Sequence, residues 1–181
     1  MKKLRLLLIA ALALVLAVSV GMLVRQNIQY REGEEAYAEA EALVELPDLS
    51  QLPRPEPVPE EAPSEEEIAP EEQPVYVDPY ADALRNMDFS ALREVNSDVL
   101  GWILIPGTAV SYPVVQGTDN DYYLNHAWKK WTSVVGSIFL ECQNSRDLSD
   151  FNTIIYGHRM NNGSMFASLK NYKKQSWWRD H

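Results

Sequence analysis

Asn152-Thr153-Ile154-Ile155-Tyr156-Gly157-His158-Arg159-Met160 is the stretch on which the fold turns: a β-branched apolar run that stops at a glycine and delivers a histidine. Ile154 and Ile155 suit a strand buried on both faces. Gly157 lets the backbone turn sharply and leaves His158 at the strand's end. A histidine held there is placed for proton transfer, and equally for an ordinary structural hydrogen bond.

Working upstream, Val134 to Leu140 reads as another strand, and Asp119-Asn120-Asp121 as a turn or helix cap leading into Tyr122-Tyr123-Leu124. Val99 to Ile105 and Val110 to Val115 are two strand-like runs separated by the turn signal Pro106-Gly107-Thr108. Pro113 has no N–H to donate, which predicts an edge or a bulge for the second run. Between Asp78 and Val95, Tyr80, Leu84, Met87, Leu92 and Val95 recur at helical spacing, with Asp88 or Ser90 as a cap. Downstream, Ser164 to Leu169 predicts a short helix, and Trp177-Trp178 marks the opening of a further element. The expectation is a mainly β domain with short helices over residues 75–181.

What precedes it is of a different kind. Leu6 to Val24 carries no charge and is about the length that spans a bilayer core, so residues 1–25 read as a cytoplasmic tip and an uncleaved membrane anchor. Lys2, Lys3 and Arg5 favour a cytoplasmic N-terminus, with the remainder outside the cell membrane. Glu32 to Leu46 has helix-forming Ala and Glu but too little apolar face for a core. From Pro47 onward, Pro53, Pro55, Pro57, Pro59, Pro63, Pro70 and Pro74 alternate with glutamates, so residues 26–74 read as a disordered acidic stalk that lifts a domain off the membrane.

Charge follows the same division. Residues 1–31 sum to +5, residues 32–74 to −14 and residues 75–181 to −1. The folding region is nearly neutral and gives no reason to expect nucleic acid. Cys142 is the one cysteine, so no intrachain disulfide is possible, and His126, His158 and His181 lack the close pairing of a zinc motif. No metal or other cofactor is expected. Trp102, Trp128, Trp131, Trp177 and Trp178 read as packing residues.

Asn96 to Ile103, Ile105 to Thr108, Tyr112 to Gly117, Asp119 to His126, Gly136 to Leu140 and Asn152 to Met160 resemble, in order and spacing, the first half of a class B sortase. Such enzymes are membrane-anchored cysteine transpeptidases of Gram-positive bacteria. The resemblance implies an eight-stranded β-barrel that cleaves a sorting signal after its threonine through a cysteine acyl-enzyme. A cell-wall precursor amine or a pilin lysine then resolves it, with surface proteins bearing the sorting signal as partners. His158 matches the catalytic histidine, and Asn120, Leu124 and Tyr156 would border the substrate groove. Asn120 and Leu124 would share a helical face if that segment is helix, and Tyr156 should face the same side as His158. The family's cysteine and arginine follow the histidine at a distance the sequence does not reach, and neither Arg159 nor Arg179 matches that arginine. Residues 75–181 are therefore expected to be a truncated catalytic domain, inactive alone and poorly folded. Cys142 precedes the histidine, and Glu141 beside it should raise its pKa and weaken the thiolate. The alternatives are a non-catalytic membrane-anchored binding module, a degenerate sortase, or a structural wall-spanning protein.

Overall fold

The computed structural model describes residues 2–47, 84, 85 and 87–180, with the side chains of 178–180 excepted. The proline-rich glutamate stretch, Tyr80 and the side chain of Arg179 lie outside them.

One helix, α1, runs unbroken through Lys2–Ala42. Leu, Ala and Glu dominate it and no proline interrupts it until Pro47. It ends in tightened turns in which Leu43 N donates to the Ala40 carbonyl and Val44 N to that of Glu41, both at 3.2 Å. Residues 4–24 are exposed along their length, and this helix is long and apolar enough to cross a membrane.

The second half of α1 corrects the sequence reading. Ala36, Tyr37, Ala40 and Val44 are buried in the domain core, so the segment expected to lack an apolar face supplies part of the core. Full burial of a side chain such as Val44 contributes about 1.5–3 kcal/mol. The face was hidden because its members are small residues between glutamates. Trp128 Nε1 donates to the Ala36 carbonyl at 2.9 Å, and Tyr37 Oη donates to the Gly136 carbonyl at 2.5 Å. Gly33 lies so close to Val135 that an added Cβ would stand 2.7 Å from Cγ2. The domain thus docks on Gly33 to Val44, before the proline-rich stretch begins, so this part of the segment expected to be stalk is packed. Moreover, Leu46 and Pro47 line one cleft with Met87, Asp88 and Ser90, so the two flanks of that stretch lie side by side.

The domain starts with α2 (Ser90–Val95), where the Asp88 carboxylate accepts the Ser90 N–H at 2.8 Å. Strands β1 (Val99–Leu104), β2 (Ser111–Val115), β3 (Ile138–Leu140) and β4 (Ile155–Tyr156) form one sheet in that order, β1–β2 and β3–β4 antiparallel and β2–β3 parallel. The sheet is open among the described residues. A 3₁₀ turn at Tyr122–Leu124, a longer 3₁₀ helix at Phe166–Lys173 and α3 (Gln175–Asp180) complete the fold.

Several strand expectations change in detail. β2 is interior, and Pro113 is accommodated because the β2–β3 ladder involves only Val114 and Val115. The bulge lies in the partner strand, between Val99 and Gly101. β3 starts only at Ile138, since Gly136 adopts φ +58° and breaks the run from Val134. β4 is two residues long because the Asn144 side chain claims the Asn152 carbonyl and the Ile154 N–H that a longer ladder would use. Its residues are half-buried, and Ile154 is 39% exposed, so the strand is not covered on both faces. Trp128, Tyr123, Phe139, Ile138 and Leu140 make the centre of the core. Asn96 Nδ2 bonds within it to the Trp128 carbonyl at 2.5 Å and to Tyr123 Oη at 2.9 Å, satisfying an otherwise costly buried amide.

Candidate active site

His158 lies two residues beyond the end of β4. Its carbonyl accepts the Phe166 N–H at 2.9 Å, and the neighbouring Arg159–Met165 bridge extends the pairing. Gly157 precedes it for a reason other than a turn. Its φ is not left-handed, but Ile138 and Phe166 occupy the space a Cβ would need. Glycine here permits close packing under the histidine. On the far side, Met165 holds φ +56° although it is buried and not glycine, and its N–H donates to Tyr112 Oη at 2.9 Å.

The ring of His158 is fixed by one bond. Nε2 lies 2.7 Å from the Leu124 carbonyl. A carbonyl only accepts, so Nε2 carries the proton and Nδ1 is the free basic nitrogen of the neutral ring. Nδ1 has no hydrogen-bond partner among the described residues. When Nδ1 takes a proton, the Leu124 bond persists, so protonation needs no reorientation. Gly136 makes this possible: a Cβ there would stand 2.6 Å from the Leu124 oxygen and 3.0 Å from His158 Cδ2.

Leu124 therefore meets the histidine through its backbone. Asn120 does something different, and the two do not share a helical face, because the 3₁₀ turn begins only at Tyr122. Asn120 Nδ2 donates to Glu141 Oε1 at 2.6 Å, and its Oδ1 accepts the Cys142 N–H at 2.9 Å. Tyr156 Oη donates to Glu141 Oε2, also at 2.6 Å, while its ring packs 5.2 Å from that of Phe139. The four positions thus form two pairs, His158 with Leu124 and Tyr156 with Asn120, the second joined by Glu141. Glu141 and Gly136 are the residues the sequence reading did not place in the site. The only signal for Glu141 was an acid directly after a buried apolar strand.

Charge in this cluster is set by hydrogen bonds. The amide of Asn120 and then the hydroxyl of Tyr156 hold the Glu141 carboxyl at about 2, against an ordinary 4.5. The same carboxylate raises the Tyr156 phenol. Partial burial, and next the hydrogen bond from its Sγ to Glu141, push the Cys142 thiol up, the direction expected from the sequence. A thiol so placed is a poor nucleophile. His126 is stacked on Tyr122 at 3.9 Å and bonds through Nδ1 to the Tyr122 carbonyl at 2.7 Å, a structural use of the ring.

An open four-stranded sheet, a histidine just past the end of β4 locked by a backbone carbonyl, and a polar cluster of Asn120, Glu141 and Tyr156 fit the sortase resemblance drawn from the sequence. Comparison with known proteins agrees: residues 103–178 match the sortase domain family. Sortase B of Listeria monocytogenes is 48% identical over 81 residues, covering 45% of this chain and 33% of that protein. Sortase B of Staphylococcus aureus is 40% identical over 93 residues, 51% of this chain and 38% of that protein. Among solved structures, sortase B from Bacillus anthracis superposes with a TM-score of 0.59 at 31% identity, covering 85% of this chain and 59% of that one. A substrate complex of S. aureus sortase B gives 0.50 at 40% identity, over 51% and 43% of the two chains. The chain spans about a third of the length of the curated relatives it matches, at 33% and 38%.

Proposed function

We propose that the protein is a membrane-anchored sortase-type cysteine transpeptidase, with His158 as its acid–base residue. The observation that carries this is the Nε2–Leu124 bond, which leaves Nδ1 without a partner among the described residues, within the stretch that matches the sortase domain family. In this reading a cysteine thiol gives its proton to Nδ1 and its sulfur bonds to the carbonyl carbon of the sorting signal's threonine. The tetrahedral adduct collapses as the imidazolium protonates the departing amine, leaving a thioester. An amine of a cell-wall precursor or pilin then attacks, and the thiol leaves. Tyr156 and Asn120, held by Glu141, border the groove that seats the peptide, and Leu124 adds an apolar side chain. Cys142, whose environment disfavours the thiolate, is not proposed as the reacting thiol; by the resemblance that thiol follows His158, beyond residue 181. The apolar part of α1 anchors the protein, with the domain on the outer side of the cell membrane.

The test uses the full-length protein, a quenched-fluorophore sorting peptide and an amine acceptor. His158→Ala should lower kcat/KM by about 10²–10⁴, whereas Cys142→Ala should leave acyl-enzyme formation, read by intact mass, unchanged. A His158→Ala protein within tenfold of the parent refutes the assignment.

A further inference from the structure

The loop at residues 125–134 is built more firmly than a solvent loop requires, and it sits low on α1. His126 pairs with Thr132, Ala127 N bonds to the Trp131 carbonyl at 2.9 Å, and Ser133 N to that of Asn125 at 2.8 Å. Lys129 ties the loop to α1 through an ion pair with Glu39. Yet this rigid loop presents large apolar groups outward: Trp131 is 46% exposed and Val134 is 42% exposed. Trp131, Thr132, Ser133 and Val134 line one cleft of about 410 Å³ with Gln29 and Glu32 of α1.

The position of that cleft on the helix decides its surroundings. The charge-free run ends at Val24 and Arg25 follows. At 1.5 Å per residue, Gln29 and Glu32 stand about 8 and about 12 Å beyond Val24. The headgroup region adds about 5–8 Å on each side of a bilayer core, and an indole side chain spans the remaining gap. Because α1 is continuous and Gly33 packs directly on Val135, the loop cannot ride higher on the helix. Residues 125–140 contain no Asp or Glu to resist an anionic surface, and Ile28, 51% exposed, continues the apolar face below the cleft.

We propose that residues 125–134 rest on the lipid headgroup layer where α1 leaves the membrane, with Trp131 and Val134 as the contacts. Tryptophan, apolar in its body and polar at Nε1, favours that layer. The loop is a second foot beside the anchor and fixes which side of the domain faces the bilayer. This rests on the reading of α1 as a membrane anchor.

The experiment places the full chain in phosphatidylcholine vesicles carrying a headgroup-nitroxide lipid and compares tryptophan quenching with that of Trp131→Phe. Flotation is measured on the same samples. Co-flotation with quenching largely lost in Trp131→Phe is the expected result. Co-flotation with equal quenching in both overturns the loop contact while leaving the anchor intact. Failure to float overturns the anchor reading and the loop contact with it. A third protein, Leu43→Trp in the Trp131→Phe background, puts an indole about 28 Å above Val24 and should be unquenched; quenching there means α1 lies along the surface and refutes the proposed height.

Discussion

Replacing Gly136 with alanine should be among the most damaging single-methyl additions in the domain. Gly136 has φ +58°, where a Cβ costs about 1–2 kcal/mol. The methyl would also meet the Leu124 oxygen at 2.6 Å and the Tyr123 oxygen at 2.8 Å, both backbone atoms that cannot swing aside. Overpacking of that kind costs about a further 1–3 kcal/mol, so the total is about 2–5 kcal/mol. At about 2 kcal/mol per molar urea, the unfolding midpoint of the detergent-solubilised chain should fall by about 1–2.5 M. Gly163→Ala is the control, since Gly163 has φ +93° but open space around it, and should show the backbone cost alone. Because the Leu124 oxygen also holds His158, the His158 ring resonances should shift in Gly136→Ala and stay in place in Gly163→Ala. Equal midpoints for the two variants would refute the claim that the carbonyl contacts matter.

Trp128→Phe removes a fully buried indole and its bond to the Ala36 carbonyl, and should cost about 2–4 kcal/mol by urea unfolding. Tyr37→Phe deletes only the hydroxyl that donates to Gly136, with an expected loss of about 1–2 kcal/mol by the same measurement. The Glu141 carboxyl is lowered from 4.5 to about 2, so its contribution to stability is complete above pH 4.5 and is lost as the pH falls through about 2. Urea midpoints measured across that window should lose part of their pH dependence in Glu141→Gln. In the same variant the Tyr156 phenol, no longer facing a carboxylate, should ionise at lower pH, read by tyrosinate absorbance against a Tyr156→Phe blank.

The β1–β2 hairpin was legible because its causes are local: Pro106-Gly107-Thr108 turns the chain and β-branched residues flank it. The start of β3 was not, since the left-handed Gly136 answers to Tyr37 in α1 and to the Leu124 carbonyl. The docking face of α1 is spaced helically through Gly33, Ala36, Tyr37 and Ala40, with Val44 just past its end, but Gly33, Ala36 and Ala40 among glutamates carry little hydrophobic signal although they allow close approach. In the site, His158 was legible from its strand-end position and from the resemblance. What stayed hidden was that Tyr156 and Asn120 meet on Glu141, a residue far from both in sequence, brought toward Asn120 by the parallel β2–β3 pairing and toward Tyr156 by the antiparallel β3–β4 pairing.

The flanks of the acidic stretch have a topological consequence. The covalent path from the apolar helix to the sheet runs through residues 48–83, while the physical attachment is made directly by the helix face holding Ala36, Tyr37, Ala40 and Val44. A single proteolytic nick in that path would sever the chain without freeing the domain. The two pieces would remain a noncovalent pair, and their separation would be governed by the dissociation rate of one buried helix face.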